Sequence, residues 1–194
     1  MNNKKNEPFI IKYLDDVKKQ LDDLDIGLVS KFIEILHQAY KNDKTVFVIG
    51  NGGSATTAIH FSCDMGKGTV KNINDHKEKR FKVIPLPSNI ATLTAIANDI
   101  SYDDIFSQQL VNFMKQGDVL IAISASGNSK NIIKAVKVAK EGSLVVLGLA
   151  GFDGGMLKNL SDHCIVVKNN NYGVVEDIHH ILSHIINLSL KEIK

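Results

Sequence analysis

The chain has 194 residues, which is long enough for one domain with a sizeable hydrophobic core. Hydrophobic residues make up 44% of it, which excludes an extended disordered chain. The net charge is only +2, from 23 basic and 21 acidic residues, and this balance argues against a dedicated nucleic-acid-binding protein.

Two amphipathic helices are expected before the first strand. Apolar residues recur at helical spacing over 9–25, and a second helix follows a break at Gly27 and ends before Asn42. These helices can cover the sheet or pack against another subunit, and we favour the second, because helical N-terminal extensions often build oligomers. We expect a single domain in which 1–43 is an N-terminal helical extension and 44–194 is an α/β core.

The segment 45–64 predicts a strand, a glycine turn and a helix. Its apolar run at 46–49 is typical of a strand that is covered on both faces. The turn can bring backbone close to a ligand because it contains Gly50, Gly52 and Gly53. Ser54 can cap the helix that follows, and the free N–H groups of that helix favour an anion. His60 and Asp64 are four residues apart and share one helix face.

Strands and helices alternate through the rest of the chain. Further strands are expected at 81–86, 119–123, 144–149 and 164–167, and further helices at 91–97, 102–114, 132–140 and 174–191. This alternation implies a parallel sheet with right-handed crossovers, so the expected fold is a doubly wound, five-stranded α/β sheet. Ligands of such sheets bind beyond the carboxyl ends of the strands, where the polar turns after strands one and three both lie.

The turn after the third strand carries three serines around Gly127, namely Ser124, Ser126 and Ser129. Their hydroxyls, the free backbone N–H groups and the dipole of the next helix suit a phosphate dianion. The turn lacks the Gly-Lys-Ser ending of a nucleoside-triphosphate loop, so a phosphomonoester is the better fit. The alternative is an ordinary turn in which Ser129 caps the helix.

The final helix carries a cluster of titratable side chains: Glu176, Asp177, His179, His180 and His184. Single histidines on helices are usually structural or solvated. Metal ligation or acid–base chemistry requires this helix to meet His60 and Asp64 in space. Imidazoles and carboxylates together suit zinc or a similar divalent ion. Asn98 and Asp99 offer an amide and a carboxylate at the end of another helix, where they can also be no more than a helix stop.

The two cysteines, Cys63 and Cys164, do not form a CxxC pair. We expect both to be buried free thiols rather than a disulfide, which fits a reducing cytoplasm. No stretch approaches the ~20 apolar residues of a membrane span, and the N-terminus lacks the apolar core of a signal peptide. The expected location is therefore the cytoplasm, with no membrane or nucleic-acid partner.

Four motifs resemble the SIS (sugar isomerase) domain family: GNGGSA at 50–55, TAIAND at 94–99, SASGNSKN at 124–131 and the Glu-Asp-x-His…His pattern of the final helix. Within that family the chain is most similar to phosphoheptose isomerases, which interconvert sedoheptulose 7-phosphate and D-glycero-D-manno-heptose 7-phosphate. The likeness runs from about residue 8 to the C-terminus. It implies a flavodoxin-like sheet and a homotetramer with active sites built from more than one subunit.

The resemblance also implies residue roles. Substrate contacts would come from Asn51, Gly52, Gly53, Asn98 and Asp99. The phosphate would be held by Ser124, Ser126 and Ser129, with Ser54 close by. One zinc per active site would be held by His60, Asp64, Glu176 and His184. Asp64 and His184 are the expected catalytic pair; spacing alone equally admits His180, and the family register favours His184.

Several residues depart from the family pattern. Asp64 stands where Glu is typical, Glu176 where Gln is typical, and 87–89 replaces a Ser-Thr-Asp-Thr stretch. The Gly-Arg pair that the family carries after the first α/β helix is replaced by Gly66 and Lys67, which lie one residue earlier than that pair. These changes keep open an isomerase for another sugar phosphate, such as an amino sugar or a hexose. A non-catalytic sugar-phosphate sensor or adaptor would not need the metal and catalytic set, so the presence of that set favours an enzyme.

Overall fold

A computed structural model describes residues 5–194 of the chain. The strands are β1 (Thr45–Ile49), β2 (Lys82–Pro85), β3 (Val119–Ser124), β4 (Val145–Gly151) and β5 (His163–Val167). They form one sheet in the order β2-β1-β3-β4-β5, and every neighbouring pair is parallel. This is the flavodoxin-like order, in which a ligand site is expected where the strand order reverses, between β1 and β3. The predicted fold is confirmed.

Eight α-helices surround the sheet in the described part of the chain: α1 (Glu7–Asp22), α2 (Ile26–Lys41), α3 (Gly53–Cys63), α4 (Ile90–Asp99), α5 (Ser107–Phe113), α6 (Lys130–Glu141), α7 (Gly155–Leu160) and α8 (Tyr172–Ile193). A π-helical turn, Asp64–Gly68, continues directly from α3. Within residues 5–194, no helix has both the length and the apolar character needed to span a bilayer.

Each face of the sheet has its own layer of helices, because alternate residues of a strand point to opposite sides. On one face, Val46 and Val48 of β1 pack with α2, α3 and α8. On the other face, Phe47 and Ile49 pack with α5 and α6. The central strand β3 is buried along its whole length. Burial on both sides explains why the strands read as continuous apolar runs.

The two N-terminal helices differ in their packing. Phe32 and Leu36 of α2 are fully buried against the sheet of their own chain. The interpretation that favoured packing against another subunit is therefore wrong for α2. The helix α1 instead leaves a row of apolar side chains exposed: Phe9, Ile10, Ile11 and Leu14.

Two helix boundaries differ from those expected, because side chains bond to the backbone or to one another. Gly27 lies inside α2, since Asp25 caps that helix by accepting a 2.9 Å hydrogen bond from the Leu28 N–H. The helix expected over 102–114 is broken after a 3₁₀ turn, Tyr102–Asp104. Asp104 is buried there by a 2.7 Å ion pair with Lys134, an interaction between distant parts of the chain.

Other local expectations need correction. The helix α7 is six residues long and was not predicted. Gly52, with φ +51°, is the N-cap of α3, and Ser54 lies in the first turn instead of capping it. Both cysteines are free, but Cys63 is exposed at the end of α3. Cys164 is partly buried, and that burial raises the pKa of its thiol to about 12.

Candidate active site

The serines expected to bind phosphate line one cavity of about 160 Å³ at the carboxyl edge of β1 and β3. We call it the serine cavity; its lining is Asn51, Ser54, Ile123, Ser124, Ala125, Ser126, Ser129, Tyr172 and Glu176. The Ser124 hydroxyl donates a 3.4 Å hydrogen bond to the Ser129 oxygen. Ser129 is the N-cap of α6, yet its hydroxyl makes no capping bond with the described residues. The hydroxyl therefore remains available to a ligand at the N-terminus of α6.

The backbone of the serine loop is held by the start of α7. Gly127 has φ +65°, and an added Cβ there would overlap the Gly154 carbonyl. The Gly127 carbonyl accepts a 2.9 Å hydrogen bond from the Leu157 N–H, and Asn128 Oδ1 accepts one of 3.0 Å from the Met156 N–H. Sequence reasoning missed this support, since the helix that provides it was itself unexpected.

Asn51 is held by two side chains that sequence reasoning also missed. The amides of Asn51 and Asn131 exchange two hydrogen bonds of 2.9 Å each. The Tyr102 hydroxyl donates to Asn51 Oδ1 at 3.2 Å. Asn131 is buried although it lies in the first turn of a helix, and a buried amide needs partners. Asn51 thus separates the serine cavity from a larger, mainly apolar cavity beside α4.

Glu176 lies at the start of α3, on the serine-cavity side. A Cβ placed at Gly53 would overlap its carboxylate, so the two residues are in direct contact. The first turn of α3 stabilises a negative charge at this point. The contact also explains why Gly53 must lack a side chain, although its φ is not positive.

His60, Asp64 and His184 are brought together by α3 and α8. The Nε2 atoms of His60 and His184 are 2.8 Å apart. Asp64 Oδ2 is 3.2 Å from His60 Nε2 and 3.7 Å from His184 Nε2. The predicted meeting of the two distant segments is therefore present within one chain.

His180 belongs to the same cluster. One ring nitrogen from each of His60, His180 and His184 lies within 4.8 Å of the other two. The His180 ring centre is 4.4 Å from that of His60 and 4.9 Å from that of His184. Burial lowers the pKa of His180, and the neighbouring imidazoles lower it further. The neutral imidazole is the form that ligates metals.

The spacing of these groups fits a divalent metal. Two ligands bound 2.0 Å from a tetrahedral zinc are about 3.3 Å apart. The three separations among His60, Asp64 and His184 are 2.8, 3.2 and 3.7 Å and bracket that value. Imidazole nitrogen and carboxylate oxygen are both ordinary zinc donors.

His179, next to this cluster in sequence, belongs to the hydrophobic core. It is fully buried, and its Nε2 lies 3.1 Å from the Ala150 carbonyl oxygen. Burial lowers its pKa to about 4, so it is neutral at pH 7. Its burial was predictable, because Val175, Ile178 and Leu182 mark the same helix face as the core side.

Asn98 and Asp99 lie away from both the serine cavity and the histidine cluster. They are exposed at the end of α4, and the Asn98 amide donates a 2.8 Å hydrogen bond to the Asp99 carboxylate. Neither residue lines the serine cavity. The part of α4 that faces the neighbouring cavity is Leu93, Thr94 and Ala97.

The serine cavity and the histidine cluster are joined by α3 and α8, which run in the same direction. Ser54 and Glu176 lie at the cavity, and His60 and His184 follow them along the two helices. At 1.5 Å per residue, His60 is about 9 Å beyond Ser54, and His184 is about 12 Å beyond Glu176. The serine cavity and a His/Asp cluster thus form the two ends of one surface.

Residues 11–151 match the family model of the SIS domain. The chain belongs to the SIS domain family, as its motifs predict.

Phosphoheptose isomerases are among the relatives to which the chain is similar. The phosphoheptose isomerase of Clostridium acetobutylicum is 40% identical over 161 residues, which are 83% of this chain and 80% of that protein. The phosphoheptose isomerase of Helicobacter pylori strain P12 is 36% identical over 170 residues, 88% and 85% of the two chains. The solved phosphoheptose isomerase of Neisseria gonorrhoeae superposes with a TM-score of 0.88 at 28% identity, covering 99% of this chain and 100% of that one.

Proposed function

We propose that the chain is a phosphoheptose isomerase, an aldose–ketose isomerase that converts sedoheptulose 7-phosphate to D-glycero-D-manno-heptose 7-phosphate through an enediol. The observation that carries this proposal is the convergence of His60, Asp64 and His184 at one end of α3 and α8, with a serine-lined cavity at the other end. The names of the relatives support the choice of substrate.

The serine cavity is the proposed phosphate site. Ser124, Ser126 and Ser129 offer hydroxyls beside the N-terminus of α6, and Ser54 adds one from α3. Binding energy from the phosphate, which does not react, orients the distant carbonyl end of the sugar. Asn51, Gly52 and Gly53 lie in the turn before Ser54, at the serine-cavity end, and are proposed to contact the sugar. Asn98 and Asp99 are proposed substrate contacts on the resemblance alone.

Asp64 and His184 are proposed to move the protons. Isomerisation removes a proton from the carbon beside the carbonyl and returns one to the former carbonyl carbon. A carboxylate and an imidazole can exchange the roles of base and acid near neutral pH. Asp64 has two oxygens, so Oδ1 can accept the proton while Oδ2 faces the imidazoles.

The same cluster is proposed to hold one zinc or similar divalent ion. Of the four residues that the resemblance assigns to it, His60, Asp64 and His184 converge, and Glu176 lies two turns before His184 in α8. The bound ion would supply a Lewis acid for the substrate carbonyl. The chain's own groups would orient the sugar and transfer its protons.

The proposed assembly is a homotetramer in the cytoplasm. Exposed apolar residues support it, because α1 leaves a row of them uncovered: Phe9, Ile10, Ile11 and Leu14. The free Cys63 and Cys164 would stay reduced in the cytoplasm.

The test is incubation of the purified protein with sedoheptulose 7-phosphate and Zn²⁺, followed by detection of a new aldose phosphate. Asp64→Asn should abolish this conversion and leave binding of the phosphate ester measurable, because the serine cavity is unchanged. Asp22→Asn, at an exposed position at the end of α1, is the matched control and should behave as wild type. Near-normal turnover by Asp64→Asn refutes the catalytic assignment.

A panel of ketose phosphates tests the choice of substrate. Conversion of sedoheptulose 7-phosphate in preference to hexose and amino-sugar phosphates supports it. Turnover confined to one of the other sugars would leave the isomerase class standing and overturn the heptose.

A further inference from the structure

Three imidazoles lie together at the Asp64 end of α3. His60 comes from α3, and His180 and His184 come from consecutive turns of α8. Two histidines four residues apart on a helix present their rings to the same side, which is a common way to hold a metal. One donor nitrogen from each of the three lies within 4.8 Å of the other two, and Asp64 Oδ2 lies 3.2 Å from His60 Nε2 and 3.7 Å from His184 Nε2.

Glu176 is held away from that group. Its carboxylate contacts Gly53, and Gly53 is seven residues before His60, or about 10 Å along α3. The same carboxylate lines the serine cavity. Its place in the structure is the wall of the serine cavity, at the opposite end of α3 from the histidines.

We propose that His180 is a metal ligand of this site, so that the donors are His60, His180, His184 and the Asp64 carboxylate. The proposal deepens the metal part of the proposed function and rests on it. With His180 in place of Glu176, the metal has one carboxylate ligand, Asp64, instead of two. A divalent ion in this site then keeps a net charge of about +1 instead of zero. A more positive metal site favours the negative charge that develops on the substrate oxygen during enolisation.

Zinc affinity tests the assignment without any assay of turnover. The metal-free enzyme is titrated with Zn²⁺ against a chromophoric chelator, for wild type, His180→Gln, His184→Gln and Glu176→Ala. Loss of even an indirect metal partner costs about 10–100-fold in affinity, so removal of the direct ligand His180 should cost at least that much. Glu176→Ala, which removes the side-chain donor altogether, should bind zinc as wild type does. Unchanged affinity in His180→Gln overturns the proposal, and so does a larger loss in Glu176→Ala than in His180→Gln.

Cobalt gives a second, positive readout that tolerates a change in stability. His180→Cys places a thiolate at the position, and a Co²⁺-bound thiolate absorbs in the near ultraviolet by charge transfer. The band should appear in His180→Cys and be absent in wild type, although Cys63 is exposed next to Asp64. If His180→Gln does not fold, absence of this band in His180→Cys overturns the proposal.

The proposed function and the proposed His180 ligand can be refuted independently of each other. Loss of zinc affinity in His180→Gln, with no conversion of sedoheptulose 7-phosphate by wild type, supports the ligand and refutes the function. Conversion by wild type, with zinc affinity unchanged in His180→Gln, supports the function and refutes the ligand. A wild-type enzyme that binds no zinc at micromolar concentration refutes the ligand outright.

Discussion

The contact between Gly53 and Glu176 predicts that Gly53→Ala, which adds one methyl group, lowers activity without lowering stability. Gly53→Ala places a Cβ where the Glu176 carboxylate now lies. The overlapped atoms are at the end of a flexible side chain, so Glu176 can rotate away while the backbone stays in place. Gly53 has no positive φ, so alanine fits its backbone conformation.

Gly53→Ala is expected to change stability and activity in opposite directions. In the helix α3, alanine is favoured over glycine by about 0.5–1 kcal/mol, so the free energy of unfolding should stay constant or rise slightly. The nearest carboxylate oxygen is 2.2 Å from the new Cβ position and ordinary contact begins at 3.4 Å, so the carboxylate must move by more than 1 Å. A 1 Å error at an active site can cost about 10²-fold in rate, which corresponds to about 2.7 kcal/mol of activation free energy.

The assay is kcat/KM for the conversion of sedoheptulose 7-phosphate, measured beside urea unfolding of the same preparations. Gly27→Ala is the matched control, because Gly27 also lies in the first turn of a helix but is remote from the site. Both variants should unfold at or above the wild-type urea midpoint, and only Gly53→Ala should lose about 100-fold in kcat/KM. Wild-type activity in Gly53→Ala, with a large loss in Glu176→Ala, refutes the reasoning.

Three further predictions concern stability and reactivity. Leu36→Ala, fully buried under the sheet, should lower the free energy of unfolding by about 2–5 kcal/mol in urea titrations, while Val111→Ala at a 60% exposed site should change it little. Hydrogen bonds from two backbone N–H groups hold the pKa of Glu78 down to about 2, so the stability it adds is present above pH 4.5 and lost as the pH falls towards 2. The urea midpoints of wild type and Glu78→Gln should therefore converge on acidification. A thiol reagent should label Cys63 in the native protein and Cys164 only after unfolding; equal labelling rates would contradict this.

The sheet could be read from the sequence because its strands are buried on both faces. Val46, Val48 and their neighbours pack against helices on either side, so apolar runs and glycine turns mark the strands directly. The alternation of strands and helices predicted only that the sheet is parallel, and the strand order came from the family resemblance. Short or interrupted helices were harder, since Asp104 breaks a helical pattern through an ion pair with a residue 30 positions away.

The candidate site was predictable in its members and less so in their arrangement. Spacing placed His60 beside Asp64 and left His180 and His184 equivalent, because both are multiples of four from Glu176. Only the packing of α3 on α8 shows that both histidines approach His60. It also shows Glu176 at Gly53, a contact between residues 123 positions apart that no local pattern contains.

The parallel course of α3 and α8 fixes the distance between the serine cavity and the imidazoles. A helix rises by a constant amount per residue, so this distance does not shorten for a shorter molecule. If Ser54 holds the phosphate and His60 lies at the reacting end, as proposed, the carbon chain of the sugar must span about 9 Å. Shorter ketose phosphates should then bind without reacting, so the proposed site selects by chain length before any hydroxyl is recognised.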